Sequence, residues 1–476
     1  MTSQDIIGLN VKDITFIDNI KSMAVIGSSK RRNFFFLRNH AEHFKGDIYI
    51  VHPTIKEIPD FDNSKIYPSL RDIPGDVDFV FISVPSSQII NVIDDCVEKG
   101  VKLASIFTAG FSDAGTKEGI QLEKELLSHA QNKVRLLGPN GMGLFFPKLG
   151  IAWRRFPNIA GNIGLITQSG GVCNIAIYMA AELGLYFSKV FSFGNGTDLD
   201  FVDILYHQIN DPEIKIILCY VEGINEDRGK DLMKVFSLNK KPIVVLKGGR
   251  TKTGSIAAKT HTASITGENK IWKTIFKQYN LIEVDSLEQL IYTGQLISYY
   301  GLFEIDNVAV FSISGGYGVI LVDILEEVGI KVPQFSQEIQ DKINSKIFIV
   351  GTSANNPLDV AAQIYRSQTM HDIMDLALSD KKIDALILDM PSFYFSVKFH
   401  LKKDLSFEDN MINNFCLGHK HNKPLIPIIQ QVNYPEDRVR AFKKLTERKV
   451  PVFANPLDFI PLLPKISKFT KRMKMR

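Results

Sequence analysis

The sequence lacks most of the marks of a membrane-spanning, exported or nucleic-acid-binding chain. Its 476 residues contain no run of 18 or more apolar residues, and Met1 to Asp13 shows neither the basic stretch nor the apolar core of a leader. Both absences point to a cytoplasmic chain that does not span a membrane. Cysteine is scarce. Cys96, Cys173, Cys219 and Cys416 lie far apart, without CxxC spacing and mostly inside apolar stretches, which reads as buried thiols in a reducing compartment. The close histidine pairs, His40/His43 and His419/His421, have no third ligand at metal spacing, so no structural metal is expected. There is no sustained basic surface either. Lys and Arg total 56 against 52 Asp and Glu, and six of the positive charges fall in the last twelve residues, Lys465 to Arg476. The rest of the chain carries −2, which argues against nucleic acid as the main partner. The basic tail reads as a solvated end, or as a segment that docks on an acidic partner subunit. Neither GxGxxG nor GxxxxGK[ST] occurs, so the chain has no dinucleotide fingerprint and no P-loop for ATP.

What is present is an alternation of short Val-, Ile- and Phe-rich runs with longer segments of helical period, the pattern of parallel sheets built from βαβ units. The fold class is α/β, and the length suits about three domains. The first third predicts strands at Met23–Ile26, Ile48–Val51, Phe79–Val84, Leu103–Phe107 and Val134–Leu137. The second unit predicts Ile163–Thr167, Lys189–Phe193, Ile214–Tyr220, Ile243–Leu246 and Leu281–Val284, and the third Val308–Ser312, Ala385–Leu388, Leu425–Ile429 and Val450–Phe453. Proline and glycine mark seams at Pro147 to Gly161 and Tyr299 to Asp306. The expected division is 1–147, 160–299 and 305–464, with 465–476 as the basic tail.

Three places carry candidate chemistry. The strand Ala24-Val25-Ile26 ends in Gly27-Ser28-Ser29, whose backbone N–H groups suit a phosphate, although a plain βα turn explains them equally well. Thr167-Gln168-Ser169-Gly170-Gly171 turns a buried strand directly into an apolar helix, a start with unpaired N–H groups and about half a positive charge. That arrangement fits a dianionic phosphoryl group; tight packing of helix on strand is the alternative. Finally, Thr260-His261-Thr262-Ala263 sets a histidine among hydroxyls and small residues. A neutral imidazole is a competent phosphoryl acceptor, and it needs a carboxylate to fix its tautomer and stabilise its cation. Alone, His261 would read as a surface or cap histidine. Glu222, delivered at the carboxyl end of Ile216–Val221, fits the carboxylate's role. Asp198, Asp200 and Asp203 read as helix caps.

In this order the motifs resemble the superfamily that contains the α subunits of succinyl-CoA synthetase and of NDP-forming acyl-CoA synthetases, the ADP-forming acetate–CoA ligase α subunit most of all. The resemblance runs from about Ile14 to Leu463. It rests on Val25 to Ser29, Ser83-Val84-Pro85, Thr108 to Phe111, Gly138 to Gly143, Gln168 to Gly171, Tyr220 to Gly223, Thr260 to Thr262, Ser314 to Gly318 and Asn356 to Asp359. It implies an N-terminal CoA-binding Rossmann-like domain followed by two flavodoxin-like domains. It further implies CoA phosphates on Gly27, Ser28 and Ser29, Val84 and Pro85 beside the adenosine or pantetheine, and Asn140 near the thiol. His261 would be the phosphorylated histidine, Glu222 its orienting carboxylate, and Gln168, Ser169, Gly170 and Gly171 the phosphoryl cradle. The implied reaction is acyl-CoA + ADP + phosphate ⇌ acid + CoA + ATP. ATP/ADP and Mg²⁺ would belong to an ATP-grasp β subunit, with α2β2 assembly and a small carboxylic acid as substrate. Two departures stand out: Phe34 to Phe36 lie where the family commonly has a glycine, and Ala263 replaces the usual glycine after the histidine motif. The competing expectations are a catalytically degenerate CoA-binding regulator and a dehydrogenase, the second disfavoured by the missing glycine fingerprint.

Overall fold

The apolar runs become the interior strands of three sheets in the computed structural model, which describes residues 8–261, 269–347, 354–360, 366–396 and 406–475, without the side chains of Lys259, Thr260 and His261. The chain divides into two compact units. One holds the chain up to Ala181 together with Tyr186–Leu287; the other holds Glu182–Leu185 and Glu288 onward.

The first unit contains two sheets. The first sheet comprises β1 (Ser22–Ile26), β2 (Asp47–Val51), β3 (Ile66–Tyr67), β4 (Phe79–Ile82), β5 (Leu103–Ile106) and β6 (Arg135–Leu137). They are parallel throughout, in the order β3-β2-β1-β4-β5-β6. Its helices are α1 (Phe35–Ala41), α2 (Ile89–Lys99) and α3 (Lys117–Ala130). The second sheet comprises β7 (Gly143–Phe145), β8 (Ile163–Thr167), β9 (Phe187–Ser192), β10 (Ile216–Val221), β11 (Ile243–Lys247) and β12 (Ile282–Val284), in the order β12-β11-β10-β8-β9-β7. Only β7 is antiparallel, running against β9. The helices are α4 (Gly170–Glu182), α5 (Phe201–Asn210), α6 (Gly229–Leu238), α7 (Lys252–His261) and α8 (Asn269–Gln278). Strands β8 and β11 are buried along their whole length, as strands covered on both faces must be, which explains why they read as unbroken apolar runs rather than alternating ones.

The second unit begins within α9 (Leu287–Tyr300) and carries a four-stranded parallel sheet of β13 (Val308–Ser312), β14 (Leu358–Asp359), β15 (Ala385–Asp389) and β16 (Leu425–Ile428), in the order β14-β13-β15-β16. The helix α10 (Gly315–Glu327) follows β13. In their parallel strands the second and third sheets thus share the flavodoxin order, in which the first parallel strand stands between the second and the third.

The structure departs from expectation at short or irregular elements. The two-residue strands β3 and β14 are too short to show a period, and β7 lies in a glycine-rich stretch that reads as a turn. The expected strand Val450–Phe453 contributes a single bridge, Phe453 to Ile428. The basic tail is not a solvated end. Leu463–Lys474 forms a helix with Leu463, Ile466 and Phe469 buried at helical spacing, while Lys471 and Lys474 pair with Asp306 and Glu304, each at 2.6 Å. Of the expected caps, Asp200 accepts from the N–H groups of Val202 and Asp203 at the start of α5, and the Asp203 side chain accepts in return. Asp198 does not cap. It accepts from Leu136 N at 2.8 Å and from Arg135, joining the loop before α5 to β6.

Candidate functional site

In an open parallel sheet the crevice lies beyond the carboxyl ends of the two strands where the order reverses. In the first sheet those strands are β1 and β4, and they deliver Gly27-Ser28-Ser29 and Ser83-Val84-Pro85. A cavity of about 460 Å³ opens there, lined by these turns together with Arg32, Phe107 and Thr108. Its size is that of a cofactor site. Gly27 has φ +92°, and a Cβ would come within 2.7 Å of the Ser83 carbonyl carbon, so only glycine lets the two turns approach. Ser28 Oγ is buried without a hydrogen-bond partner among the described residues, a polar atom that a ligand's oxygen or N–H would satisfy. Thr108 Oγ1 donates to Val84 O at 2.6 Å and fixes the opposite wall.

The departure after Gly27 has a structural answer. Asn33 and Phe34 adopt left-handed backbone, φ 46° and 52°, conformations that glycine takes without penalty. For Phe34 this costs about 1–2 kcal/mol, set against burial of its ring. The turn places Arg32 at the cavity, beside the small residues that suit a pyrophosphate. Sequence reasoning missed Arg32, although the run Lys30-Arg31-Arg32 directly after Ser29 was the available signal.

Asn140 is not among the residues lining that cavity. It has φ 59° and donates its N–H to Thr108 O at 2.9 Å. Its turn fits against Gly194-Asn195-Gly196, where a Cβ on Gly194 would meet Pro139 O at 2.2 Å. Asn195 Nδ2 donates to Ser112 Oγ and Asp113 Oδ1, each at 3.1 Å, and to Glu123 Oε2 at 2.8 Å, joining the first two sheets.

In the second sheet the order reverses between β8 and β10, and their ends carry Gln168-Ser169-Gly170-Gly171 and Glu222. The two ends are bonded directly: Gln168 Oε1 accepts from Glu222 N at 2.8 Å and from Gly223 N at 3.3 Å. Gln168 therefore braces the acid's turn. Ser169 Oγ accepts from Val172 N at 3.4 Å. The two glycines differ. A Cβ on Gly170 would sit 2.8 Å from Met142 Cγ, whereas on Gly171 the nearest atom would be Ser169 Oγ at 3.9 Å. Packing accounts for the first, and the second leaves the start of α4 open.

Glu222 is 6% exposed and accepts from Tyr220 Oη at 2.9 Å. Burial, and then the Glu222 charge, push the Tyr220 hydroxyl upward, so it remains a donor. Beneath the turn Lys247, 2% exposed, donates to Glu222 O at 2.6 Å and to Gly248 O. The backbone of His261 is the last residue of α7, and that helix passes beside Ser112–Ala114, at the junction braced by Asn195. The His261 side chain and residues Thr262 and Ala263 lie outside the described residues.

The four cysteines are free. Cys96, Cys173 and Cys219 are buried, and burial pushes the Cys173 thiol up to about 12, which keeps it protonated and unreactive. Among the described residues no helix is long and apolar enough to cross a membrane.

Residues 21–146 match the CoA binding domain model and residues 160–297 the succinyl-CoA ligase like flavodoxin domain model. The α subunit of acetate–CoA ligase [ADP-forming] II from Pyrococcus furiosus is 31% identical over 381 residues, covering 79% of this chain and 81% of that subunit. Acetate–CoA ligase [ADP-forming] from Methanocaldococcus jannaschii is 33% identical over 356 residues, 73% of this chain; the match spans 49%, about half, of that relative's length. Among solved structures, the dinucleotide-forming acetyl-coenzyme A synthetase 1 of Ca. Korarchaeum cryptofilum in complex with phosphate and ADP aligns with TM-score 0.82 and 28% identity, over 97% of this chain and 98% of that one. The chain belongs to the family of ADP-forming acetate–CoA ligases and resembles their α subunits over most of its length.

Proposed function

We propose that the chain is the α subunit, or α portion, of an ADP-forming acyl-CoA synthetase that interconverts acyl-CoA, ADP and phosphate with acid, CoA and ATP. The observation that carries this reading is the bonded pair of strand ends in the second sheet, where the turn opening a helix start and the turn carrying a buried carboxylate are joined through Gln168. Gly27, Ser28 and Ser29 would hold the CoA phosphates, with Val84 and Pro85 along the rest of the molecule and Asn140 toward the thiol. A phosphate oxygen attacks the thioester carbonyl carbon, the C–S bond breaks, and CoA leaves as the thiolate. A neutral nitrogen of His261 then attacks the phosphorus of the acyl phosphate, and the carboxylate departs. Glu222 orients the ring and stabilises its cation, while the N–H groups at the start of α4, after Gln168-Ser169-Gly170-Gly171, hold the phosphoryl oxygens. Transfer to ADP breaks the N–P bond and restores the imidazole. Nucleotide and Mg²⁺ are assigned to an ATP-grasp region, supplied by a β subunit in a hetero-oligomer such as α2β2, in the cytoplasm. The acid is a small carboxylate. Residues 1–147, 160–299 and 305–464 are proposed as its three domains.

The test mixes the chain with its ATP-grasp partner, γ-labelled ATP and Mg²⁺, beside a His261→Ala variant. The expected result is an acid-labile, base-stable label on the unmodified chain alone. Label persisting in the variant overturns His261 as nucleophile, and CoA binding without any label replaces the synthetase with a CoA-sensing regulator.

A further inference from the structure

The most deeply buried charge beside the phosphoryl centre belongs to a residue that the proposed reaction leaves unused. Lys247 ends β11, paired in register with Val221 of β10, so its side chain starts one residue from the level of Glu222. It is 2% exposed, and its ammonium donates to two backbone carbonyls, Glu222 O and Gly248 O. It also stands over the Trp272 ring, 5.4 Å from the centroid. A buried lysine that serves only to fill space is costly, since removing an ammonium from water opposes folding. The three contacts explain its retention. Glu222 O belongs to the turn of the acid, Gly248 O to the turn that leads into α7 with His261 at its end, and Trp272 to α8, which follows residues 262–268. One ammonium therefore joins the turn of the acid to the turn that leads into α7, the helix that ends at His261, and to α8.

We propose that Lys247 is a positioning residue for phosphoryl transfer, holding the Glu222 turn, the turn that leads into α7 and the helix α8 in one arrangement. The inference rests on the proposed phosphohistidine reaction. Burial draws the Lys247 ammonium down to about 8, opposed by the Glu222 charge and assisted by Arg250. The groups around it are Glu222, with Tyr220 bonded to that acid, Arg250 in the turn after β11, and the uncharged indole on α8. Deprotonation removes the charge from both carbonyl bonds, so the arrangement loosens as pH rises through about 8. Stability moves the other way. Because the folded value lies below the ordinary 10.5, the folded chain gives up this proton first, and the lysine's contribution to folding stability rises between about 8 and 10.5.

The experiment follows phosphohistidine formation with labelled ATP, Mg²⁺ and the partner from pH 7 to 9.5, with thermal melts over the same range, for the unmodified chain, Lys247→Arg and Lys247→Met. The unmodified chain is expected to lose labelling rate above about pH 8 without a matching fall in melting temperature. Lys247→Met should label about 10- to 100-fold more slowly at neutral pH, the usual loss when a group that orients a reacting residue is removed, with the KM for ATP unchanged. Lys247→Arg should recover part of the rate and lose the alkaline fall, because guanidinium stays charged throughout. If Lys247→Met fails to fold, the profiles of the unmodified chain and of Lys247→Arg decide the matter. Identical alkaline profiles for those two, or a Lys247→Met variant as fast as the unmodified chain, overturn the proposal and leave the reaction standing. An unmodified chain that takes no label overturns both.

Discussion

The same backbone device occurs once in each unit with different chemistry behind it. After β8 the chain reads Ser169-Gly170-Gly171 into α4, and after β13 it reads Ser314-Gly315-Gly316 into α10; both helices are 13 residues long. In each, a Cβ on the first glycine would be crowded, by Met142 Cγ at 2.8 Å or Asp359 Oδ2 at 3.1 Å. In each, the second glycine meets nothing nearer than its own serine, at 3.9 or 4.0 Å. An acid stands at the end of the neighbouring strand in both, Glu222 after β10 and Asp389 at the end of β15. Glu222 accepts from Tyr220 and lies beside an ammonium. Asp389 is 1% exposed, and one of its oxygens has no hydrogen-bond partner among the described residues. Burial raises it to about 6, opposed by the Ser312 hydroxyl and the Ile313 N–H, with the Asp359 charge raising it further. Strand order and a glycine pair therefore build the crevice, while the groups packed beside its acid differ: a hydroxyl and an ammonium at Glu222, a second carboxylate at Asp389.

Changing the two acids should break the comparison most sharply. Glu222→Gln keeps the shape and removes the charge, and phosphohistidine formation should fall about 100-fold or more, measured as the single-turnover labelling rate. Asp389→Asn should instead show in stability. A carboxyl whose folded value is about 6, above the ordinary 3.8, contributes stability below 3.8 that is lost as pH rises through 6. The asparagine variant does not titrate, so its advantage in urea unfolding should widen by about 1–2 kcal/mol between pH 5 and pH 8. An unchanged difference between those pH values would show that Asp389 is already ionised at the lower one. The glycines come next. Gly171→Val places a side chain over the open start of α4 and should slow labelling about 100-fold by analogy with loss of one oxyanion donor, with little change in melting temperature. Gly170→Ala should do the reverse, costing about 1 kcal/mol of stability through Met142. Equal effects of both on labelling would mean that packing alone explains the pair.

The sheet interiors were legible in the sequence because strands buried on both faces leave long apolar runs, and the switch-point turns were legible because glycine and serine cluster there. Gln168, Ser169, Gly170, Gly171 and Glu222 could be named, but not the bond by which Gln168 braces Glu222, since it joins residues 54 apart. Lys247 falls just past the predicted strand Ile243–Leu246; a lysine's burial depends on which carbonyls lie above it, which no local pattern encodes. Asp389 was missed for a similar reason. It closes an apolar run as an ordinary strand-ending acid would, and its missing partner depends on β13 and β14. The tail misled through composition: six positive charges hide the spacing of Leu463, Ile466 and Phe469, which decides that it packs.

The two serines provide the finest comparison. Ser169 Oγ accepts from Val172 N at 3.4 Å, a long bond, whereas Ser314 makes no side-chain cap bond to α10. Ser169→Ala should therefore cost about 0.5 kcal/mol, the low end for loss of a helix cap, and Ser314→Ala nothing measurable by urea unfolding. If a phosphoryl group draws Ser169 Oγ away from Val172 N during transfer, the alanine variant should also lose labelling rate by about threefold, roughly 0.7 kcal/mol. A stability loss without that rate loss would confine Ser169 to capping and leave the oxygens of the phosphoryl group to the backbone of α4 alone.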